Sequence, residues 1–244
     1  MTDTKVPGKL ISLRKEKDAP EMNKNFLGFE TDRCWDYENG FYLTSHPSRI
    51  AKMLAHYELY KLILHLPGAL VECGVYKGAS FLRFATFREL LESPFSRRMI
   101  GFDAFGRFPQ RGEDGNNTAF IERFAAAGGD GIRRQSFLEV LSHKGFQNFE
   151  LIEGDICLTV PEYVDAHPEL KIALLHIDVD VYHPTQVILA QLFDRVVRGG
   201  LIVLDDYGTV AGETTAIDEF LKDRKSELLI EKLPISHIPA FIRK

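Results

Sequence analysis

The sequence predicts an α/β sandwich of the Rossmann-like kind, with a mostly parallel seven-stranded sheet whose last strand runs antiparallel. Three observations carry this reading. Short apolar runs alternate with stretches of helical periodicity through most of the chain. The run 172–177 (IALLHI) is almost wholly apolar, as a central strand covered on both faces should be. Acidic residues follow several apolar runs directly, at the strand ends where open α/β sheets bind their ligands.

The elements follow in order. Residues 1 to about 30 are polar and irregular, so 1–45 are read as an N-terminal arm or lid and 46–244 as the main domain. Over 47–66 the residues Ile50, Met53, Leu54, Tyr57, Tyr60 and Leu64 recur at helical spacing, and Pro67-Gly68 stops that helix. Residues 69–73 read as the first strand, 79–91 as a helix and 98–103 as the second strand. The Gly-, Arg- and Asn-rich stretch 104–135 reads as an insertion or lid over the mouth of the site. A helix at 136–143, a third strand at 149–152, a short helix at 160–166 and the fourth strand at 172–177 come next. The helix 184–197 carries Pro184 in its first turn, Gly199-Gly200 end that unit, and 201–204 is the fifth strand. A helix at 213–222 precedes two final strands, 228–233 and 238–242, paired antiparallel around Pro234.

Bulk properties narrow the function. The 244 residues carry a formal net charge of -5, which argues against gripping nucleic acid. With 45% hydrophobic and 27% charged residues the composition is that of a soluble globular protein. No apolar run is long enough to span a membrane, and the N-terminus lacks the apolar core of a secretory signal, so a cytoplasmic protein is expected. Cys34, Cys73 and Cys157 are odd in number and match no zinc spacing, as expected of reduced thiols.

The strand ends hold the chemistry. The first strand runs into Glu72-Cys73-Gly74-Val75-Tyr76-Lys77-Gly78-Ala79-Ser80, where two glycines allow a tight turn and the following helix offers free N–H groups to a carboxylate. The G-x-x-x-G spacing differs from the dinucleotide fingerprint and speaks against a nicotinamide dehydrogenase. Asp103 ends the second strand and suits the hydroxyls of a ribose; Asp155, after the third, suits the edge of an adenine. Plain turns are the structural alternative for all three segments. The fourth strand delivers Asp178 and Asp180, the fifth Asp205 and Asp206. Neighbouring strands would crowd these carboxylates together, and hard oxygen ligands in one spot suit Mg²⁺, Mn²⁺ or Ca²⁺, with acidic loop ends facing water as the structural alternative. His176, inside the apolar run, reads as a core histidine.

The segments VECGVYKGAS, IGFDAF, EGDI, LLHIDVDVYHPT, GGLIVLDDYG and AIDEF resemble the macrocin O-methyltransferase family (TylF/MycF type), class I enzymes that use S-adenosylmethionine. The similarity covers roughly residues 42–222, and YLTSHPSRI, which contains Thr44, resembles the family's lead-in. The resemblance implies that Glu72, Gly74, Tyr76, Gly78 and Ser80 surround the methionine part of the cofactor, with Thr44 and Asp178 also contacting it. It implies that Asp103 holds the ribose, and that Asp155 and Ile156 flank the adenine. Asp178, Asp205 and Asp206 are the implied metal ligands, with Asp178 also the catalytic base. Tyr182, His183 and Tyr207 are candidate substrate contacts. A looser similarity to catechol O-methyltransferases implies the same metal triad, but their lysine base falls at Val181 here. His183-Pro184 also departs from the acidic residue and serine common in the sugar-methylating family.

The expected reaction is methylation of a sugar hydroxyl, nucleotide-linked or on a natural-product glycan, in a homo-oligomer. A hydroxyl is a poor nucleophile near neutral pH, and binding to a dication lowers its pKa. The alternatives are a phenolic or catechol-like acceptor, a metal-dependent hydrolase or phosphotransferase using the same carboxylates, and a non-catalytic relative.

Overall fold

The computed structural model describes residues 25–109, 122–123, 126–224 and 227–244. The chain divides into two compact units, Met1–Thr44 and Ser45–Lys244. In the first, β1 (Asn25–Phe26) and β2 (Phe29–Glu30) form a small antiparallel hairpin. A single 3-10 turn then leads into α1 (Cys34–Thr44). This helix buries none of its residues, and Trp35, Tyr42 and Leu43 are exposed on it. Of the stretch 1 to about 30 expected to be irregular, residues 25–30 form this hairpin and residues 1–24 lie outside the described residues.

The second unit is built on a sheet of seven strands. They are β3 (Ala69–Cys73), β4 (Met99–Asp103), β5 (Phe149–Glu153), β6 (Ile172–Ile177), β7 (Val196–Leu204), β8 (Ile230–Lys232) and β9 (Ala240–Arg243). Their order is β5-β4-β3-β6-β7-β9-β8. The pairs from β5 to β7 are parallel, and β9 runs antiparallel to both β7 and β8. The expectation of a mostly parallel sheet with an antiparallel last strand is met. Chain order reverses between β3 and β6, which makes the carboxyl ends of those two strands the switch point where ligands bind.

Helices cover both faces. On one side α2 (Pro47–Lys61), α3 (Ala79–Leu91) and α4 (Arg134–His143) pack Leu59, Phe84 and Phe137 against Leu70, Leu174 and Val203. On the other, α5 (Ile156–Ala166), α6 (Tyr182–Leu192) and α7 (Ala211–Asp223) pack Val160, Ile188 and Ile217 against Val71, Leu175 and Ile202. Period-two alternation along each strand sorts its residues between these cores.

Two details differ from the sequence reading. Gly199-Gly200 do not end a unit; they lie inside β7, which starts at Val196 after a 3-10 turn, so α6 stops at Leu192. The β6–β7 register shifts between Ile172 and Leu174, and Gly200 leaves room there: a Cβ on it would stand 3.0 Å from the Ala173 carbonyl oxygen. On α2 the buried face is Ala55, His56, Leu59 and Tyr60, while Leu54 is exposed and Leu64 lies beyond the helix. A polar histidine, invisible to an apolar-stripe search, belongs to the buried face. Of the expected lid, residues 110–121 and 124–125 lie outside the described residues.

Candidate active site

A cavity of about 1090 Å³ opens at the switch point. Its walls include Gly74 to Lys77 and Ser80 after β3, Asp103 after β4, Gly154 to Cys157 after β5, Asp178 to Val181 after β6, and Asp205 and Asp206 after β7. Described parts of the 104–135 stretch also line it, among them Arg107, Phe108, Glu122 and Asp130. Tyr76 ties this stretch down, its hydroxyl donating to the Gly128 carbonyl at 2.7 Å and its carbonyl accepting from Ile132 N–H at 2.7 Å. Tyr76, Phe105 and Asp180 all adopt left-handed backbone conformations, with φ of 50°, 49° and 63°. Such conformations cost energy and collect at ligand sites.

The glycine turn has a physical cause inside the protein. A Cβ on Gly74 would stand 1.8 Å from the carbonyl oxygen of Asp178, and one on Gly78 would stand 2.4 Å from the Phe137 ring. The first glycine thus lets the ends of β3 and β6 close together, and the second lets α3 start against α4. Asp103 completes the turn. Its Oδ2 accepts from Val75 and Tyr76 N–H at 2.8 and 2.9 Å, and its Oδ1 from Phe105 N–H at 2.6 Å. Three backbone bonds use most of the roughly four acceptor positions of a carboxylate. Asp155 caps α5, accepting from Cys157 N–H at 2.9 Å, and lines the cavity beside Ile156.

Ligand oxygens of Asp178, Asp205 and Asp206 lie within 4.8 Å of one another. The Asp178 N–H donates to Cys73 O at 2.9 Å and the Asp205 N–H to Ile177 O at 3.0 Å, so the ladder itself sets these residues side by side. Crowding is evident in their ionisation. Burial, and then the charge of Asp205, push Asp178 well above its ordinary value; the same causes raise Asp206. Burial and Asp206 push Asp180 up to about 8. A dication relieves such repulsion, and an all-oxygen donor set suits Mg²⁺ or Mn²⁺, so the residues fit the metal.

Asp205 differs from its neighbours. Burial opposes its charge, but the hydrogen bond with His176 and the Lys52 ammonium hold it well below the usual carboxylate range. His176 Nε2 lies 3.2 Å from Asp205 Oδ1, and Lys52 Nζ donates to Asp205 Oδ2. Across the β3–β6 pair, where Glu72 and His176 are in register, Glu72 Oε1 lies 3.7 Å from His176 Nδ1. The Ser80 hydroxyl donates to the same Glu72 oxygen at 2.5 Å. Burial works against a charged His176, yet Asp205 and Glu72 carry it up to about 10. His56 and His176 are fully buried and off the cavity wall, so the His56, His176 and Asp205 group stands behind the carboxylate triad. From α7, buried Glu213 accepts the Asp206 N–H at 3.2 Å.

Measured against the sequence reading, Gly74, Tyr76, Ser80, Asp103, Asp155, Ile156, Asp178, Asp205 and Asp206 line one cavity. Glu72 and Gly78 stand behind its wall, Glu72 fully buried. Tyr182, His183 and Tyr207 are also off the wall; the Tyr182 hydroxyl donates to Glu219 and that of Tyr207 to Asp218, both on α7. Thr44 ends α1 in the first unit, its hydroxyl on the Gly40 carbonyl at 2.7 Å. The sequence reading passed over Arg49, Lys52 and His56. Their i, i+3, i+7 spacing marks one face of α2 and was a legible signal. Arg83 and Glu213 carried no such pattern.

A seven-stranded sheet in this order, with its cleft at the switch point, is the fold of a class I methyltransferase. The sequence profile described as macrocin-O-methyltransferase (TylF) matches residues 61–243. This chain belongs to that family. It is 29% identical over 164 residues to demethyldecarbamoylnovobiocin O-methyltransferase of Streptomyces niveus, covering 64% of this chain and 59% of the relative. The chain thus matches less than two thirds of that relative's length. The calicheamicin methyltransferase CalS11 is 26% identical with a TM-score of 0.62, over 86% of this chain and 84% of the other. A second structure of CalS11, described as a TDP-rhamnose 3'-O-methyltransferase, gives 0.60 at 26% identity over 86% of each chain. The O-methyltransferase NovP matches in fold, with a TM-score of 0.68 at 20% identity over 80% of each chain.

Proposed function

We propose that this chain is a cytoplasmic, S-adenosylmethionine- and Mg²⁺-dependent O-methyltransferase acting on a sugar hydroxyl, nucleotide-linked or on a natural-product glycan. One observation carries the reading: three carboxylates with ligand oxygens within 4.8 Å open onto the same cavity as the glycine turn after β3. Family membership and the likeness to CalS11, a TDP-rhamnose 3'-O-methyltransferase, support it.

The chain's residues divide the work. The turn at Gly74 to Ser80, Asp103, Asp155 and Ile156 bind the methyl donor, with the free N–H groups at the start of α3 meeting its carboxylate. Asp178, Asp205 and Asp206 would hold Mg²⁺ or Mn²⁺, which supplies Lewis acidity to a hydroxyl. Asp178 accepts the hydroxyl proton at a carboxylate oxygen. Glu72, His176 and Glu213 keep the ligands oriented from behind. Asp103 has one acceptor position left after its three backbone bonds, which matches one ribose hydroxyl. The exposed aromatic and apolar side chains of α1 support assembly as a homo-oligomer, which sedimentation at several concentrations tests.

The test is calorimetry with S-adenosylhomocysteine and Mn²⁺, followed by a methylation screen over sugar nucleotides and glycosides with and without chelator. Binding of both, and turnover that chelation abolishes and Mg²⁺ restores, is the expected result. Turnover unaffected by exhaustive chelation would remove the metal from the proposal, and no binding of S-adenosylhomocysteine would remove the methyltransferase.

A further inference from the structure

Among the described residues five cationic side chains line the cavity, Arg49, Lys52, Lys77, Arg83 and Arg107. Three are occupied. Lys52 donates to Asp205, Lys77 to the Gly128 carbonyl at 2.5 Å, and Arg107 pairs with Asp130 at 3.6 Å. Arg49, on α2, and Arg83, on α3, are the other two, and among the described residues neither guanidinium has a hydrogen-bond or ion-pair partner. Arg83 is half-buried, and the two are close enough that the charge of Arg49, after burial, lowers its pKa. The fields of Asp205 and Asp178 also reach it, yet no ion pair with them forms. Arg49 is exposed and Arg83 half-buried, so both guanidiniums are open to an anion in the cavity.

We infer that Arg49 and Arg83 form the subsite for a phosphate or diphosphate group on the sugar acceptor, which places the substrate among phosphorylated sugars such as nucleoside diphosphate hexoses. Two guanidinium forks match the geometry of phosphoryl oxygens, and two positive charges match a dianion better than a single carboxylate. Their position suits the acceptor's remote end. They stand on the α2–α3 wall of the cavity that the metal carboxylates share, so one sugar derivative spans the carboxylates with its hydroxyl and the arginines with its phosphate. This inference rests on the proposed methyltransferase reading and deepens it.

The test titrates UDP-glucose, glucose 1-phosphate, glucuronate and glucose into the full chain loaded with S-adenosylhomocysteine and Mn²⁺, and into the Arg49→Gln/Arg83→Gln double variant. The phosphorylated ligands should bind the native chain roughly tenfold or more tighter than glucose, and the double variant should lose that margin. Its affinity for S-adenosylhomocysteine should stay within about twofold of native, since the inference gives the arginines to the acceptor's phosphate and not to the cofactor. Equal binding, or equal absence of binding, of phosphorylated and neutral ligands overturns the inference. So does a preference for glucuronate alone, which would make the subsite one for a carboxylate. Weaker S-adenosylhomocysteine binding in the double variant also overturns it, because the arginines would then hold the cofactor's own carboxylate. The anion titrations are repeated without S-adenosylhomocysteine and Mn²⁺, so failure of the methyltransferase reading is seen separately from failure of the arginine pair.

Discussion

At the scale of single residues, the site separates groups that face the cavity from groups that hold them. His176 belongs to the second kind, lying between Glu72 and Asp205 with no exposed surface. His176→Phe takes away the imidazole between two buried carboxylates and leaves Glu72 only the Ser80 hydroxyl and Asp205 only Lys52, so urea unfolding should show a loss of about 3–5 kcal/mol. Mn²⁺ affinity, read by its paramagnetic resonance signal, should fall roughly 10–100-fold, as for other residues that orient a metal ligand. Unchanged Mn²⁺ binding in a folded variant would leave His176 a structural residue only. Asp103 combines both kinds. Asp103→Ala strands three backbone N–H groups, and a stability loss on the order of 3 kcal/mol should accompany weaker S-adenosylhomocysteine binding. A variant of native stability that binds the ligand poorly would contradict the turn-holding role. Asp178→Asn and Asp205→Asn separate base from ligand. If Asp178 takes the proton, its variant stays slow by roughly 10²–10⁴-fold at saturating Mg²⁺ while the Asp205 variant recovers. Equal rescue of turnover by Mg²⁺ would reduce Asp178 to a ligand.

At the scale of elements, strand register and helix starts set the site. Glu72 and His176 meet because β3 and β6 pair in parallel with those residues opposite, both on the face covered by α2 and α3. The start of α3 depends on Gly78, at φ 83° and with its Cβ position filled by the Phe137 ring. Gly78→Ala should therefore destabilise through both strain and overlap, by roughly 2–4 kcal/mol. Adding Phe137→Leu removes the overlap but not the strain. The double variant should regain part of the loss made by the glycine change, with a coupling of about 1 kcal/mol or more in a thermodynamic cycle. Strict additivity of the two changes would show that α4 does not press on this turn.

At the scale of the whole molecule, the acidic cluster joins metal binding to stability. Asp178, Asp180 and Asp206 are all raised by burial and then by a neighbouring carboxylate, Asp205 for Asp178 and Asp206 and Asp206 for Asp180, so the folded chain carries repulsion that a bound dication relieves. Mg²⁺ or Mn²⁺ at a hundred times its dissociation constant should add about 2.7 kcal/mol of stability, and a chelator should take it away. Thermal melts with metal and with chelator check this, and Asp205→Asn/Asp206→Asn should lose the response. A native melt indifferent to either metal would argue against a divalent cation at this triad. In the described residues no helix is long and apolar enough to cross a membrane.

The sequence by itself determined the α/β alternation, the central strand 172–177, and the cluster of Asp178, Asp205 and Asp206 at neighbouring strand ends. Each is a local pattern, an apolar run followed by a carboxylate, and parallel pairing brings such ends together wherever the strands are adjacent. Only the tertiary structure decided the roles of residues whose partners are far away in the chain. His176 read as a core histidine because its neighbours in sequence are apolar; its partners, Glu72 and Asp205, come from the two flanking strands. Glu72 read as a cofactor contact, but period-two alternation turns it under α2 and α3, where Ser80 and His176 take its carboxylate. Lys52 reaches Asp205 from 153 positions away, and Arg49 on α2 and Arg83 on α3 line the same cavity. Spacing shows that Arg49 and Lys52 share a face of α2, but not which distant strand end that face meets, because the packing of helix on sheet decides it.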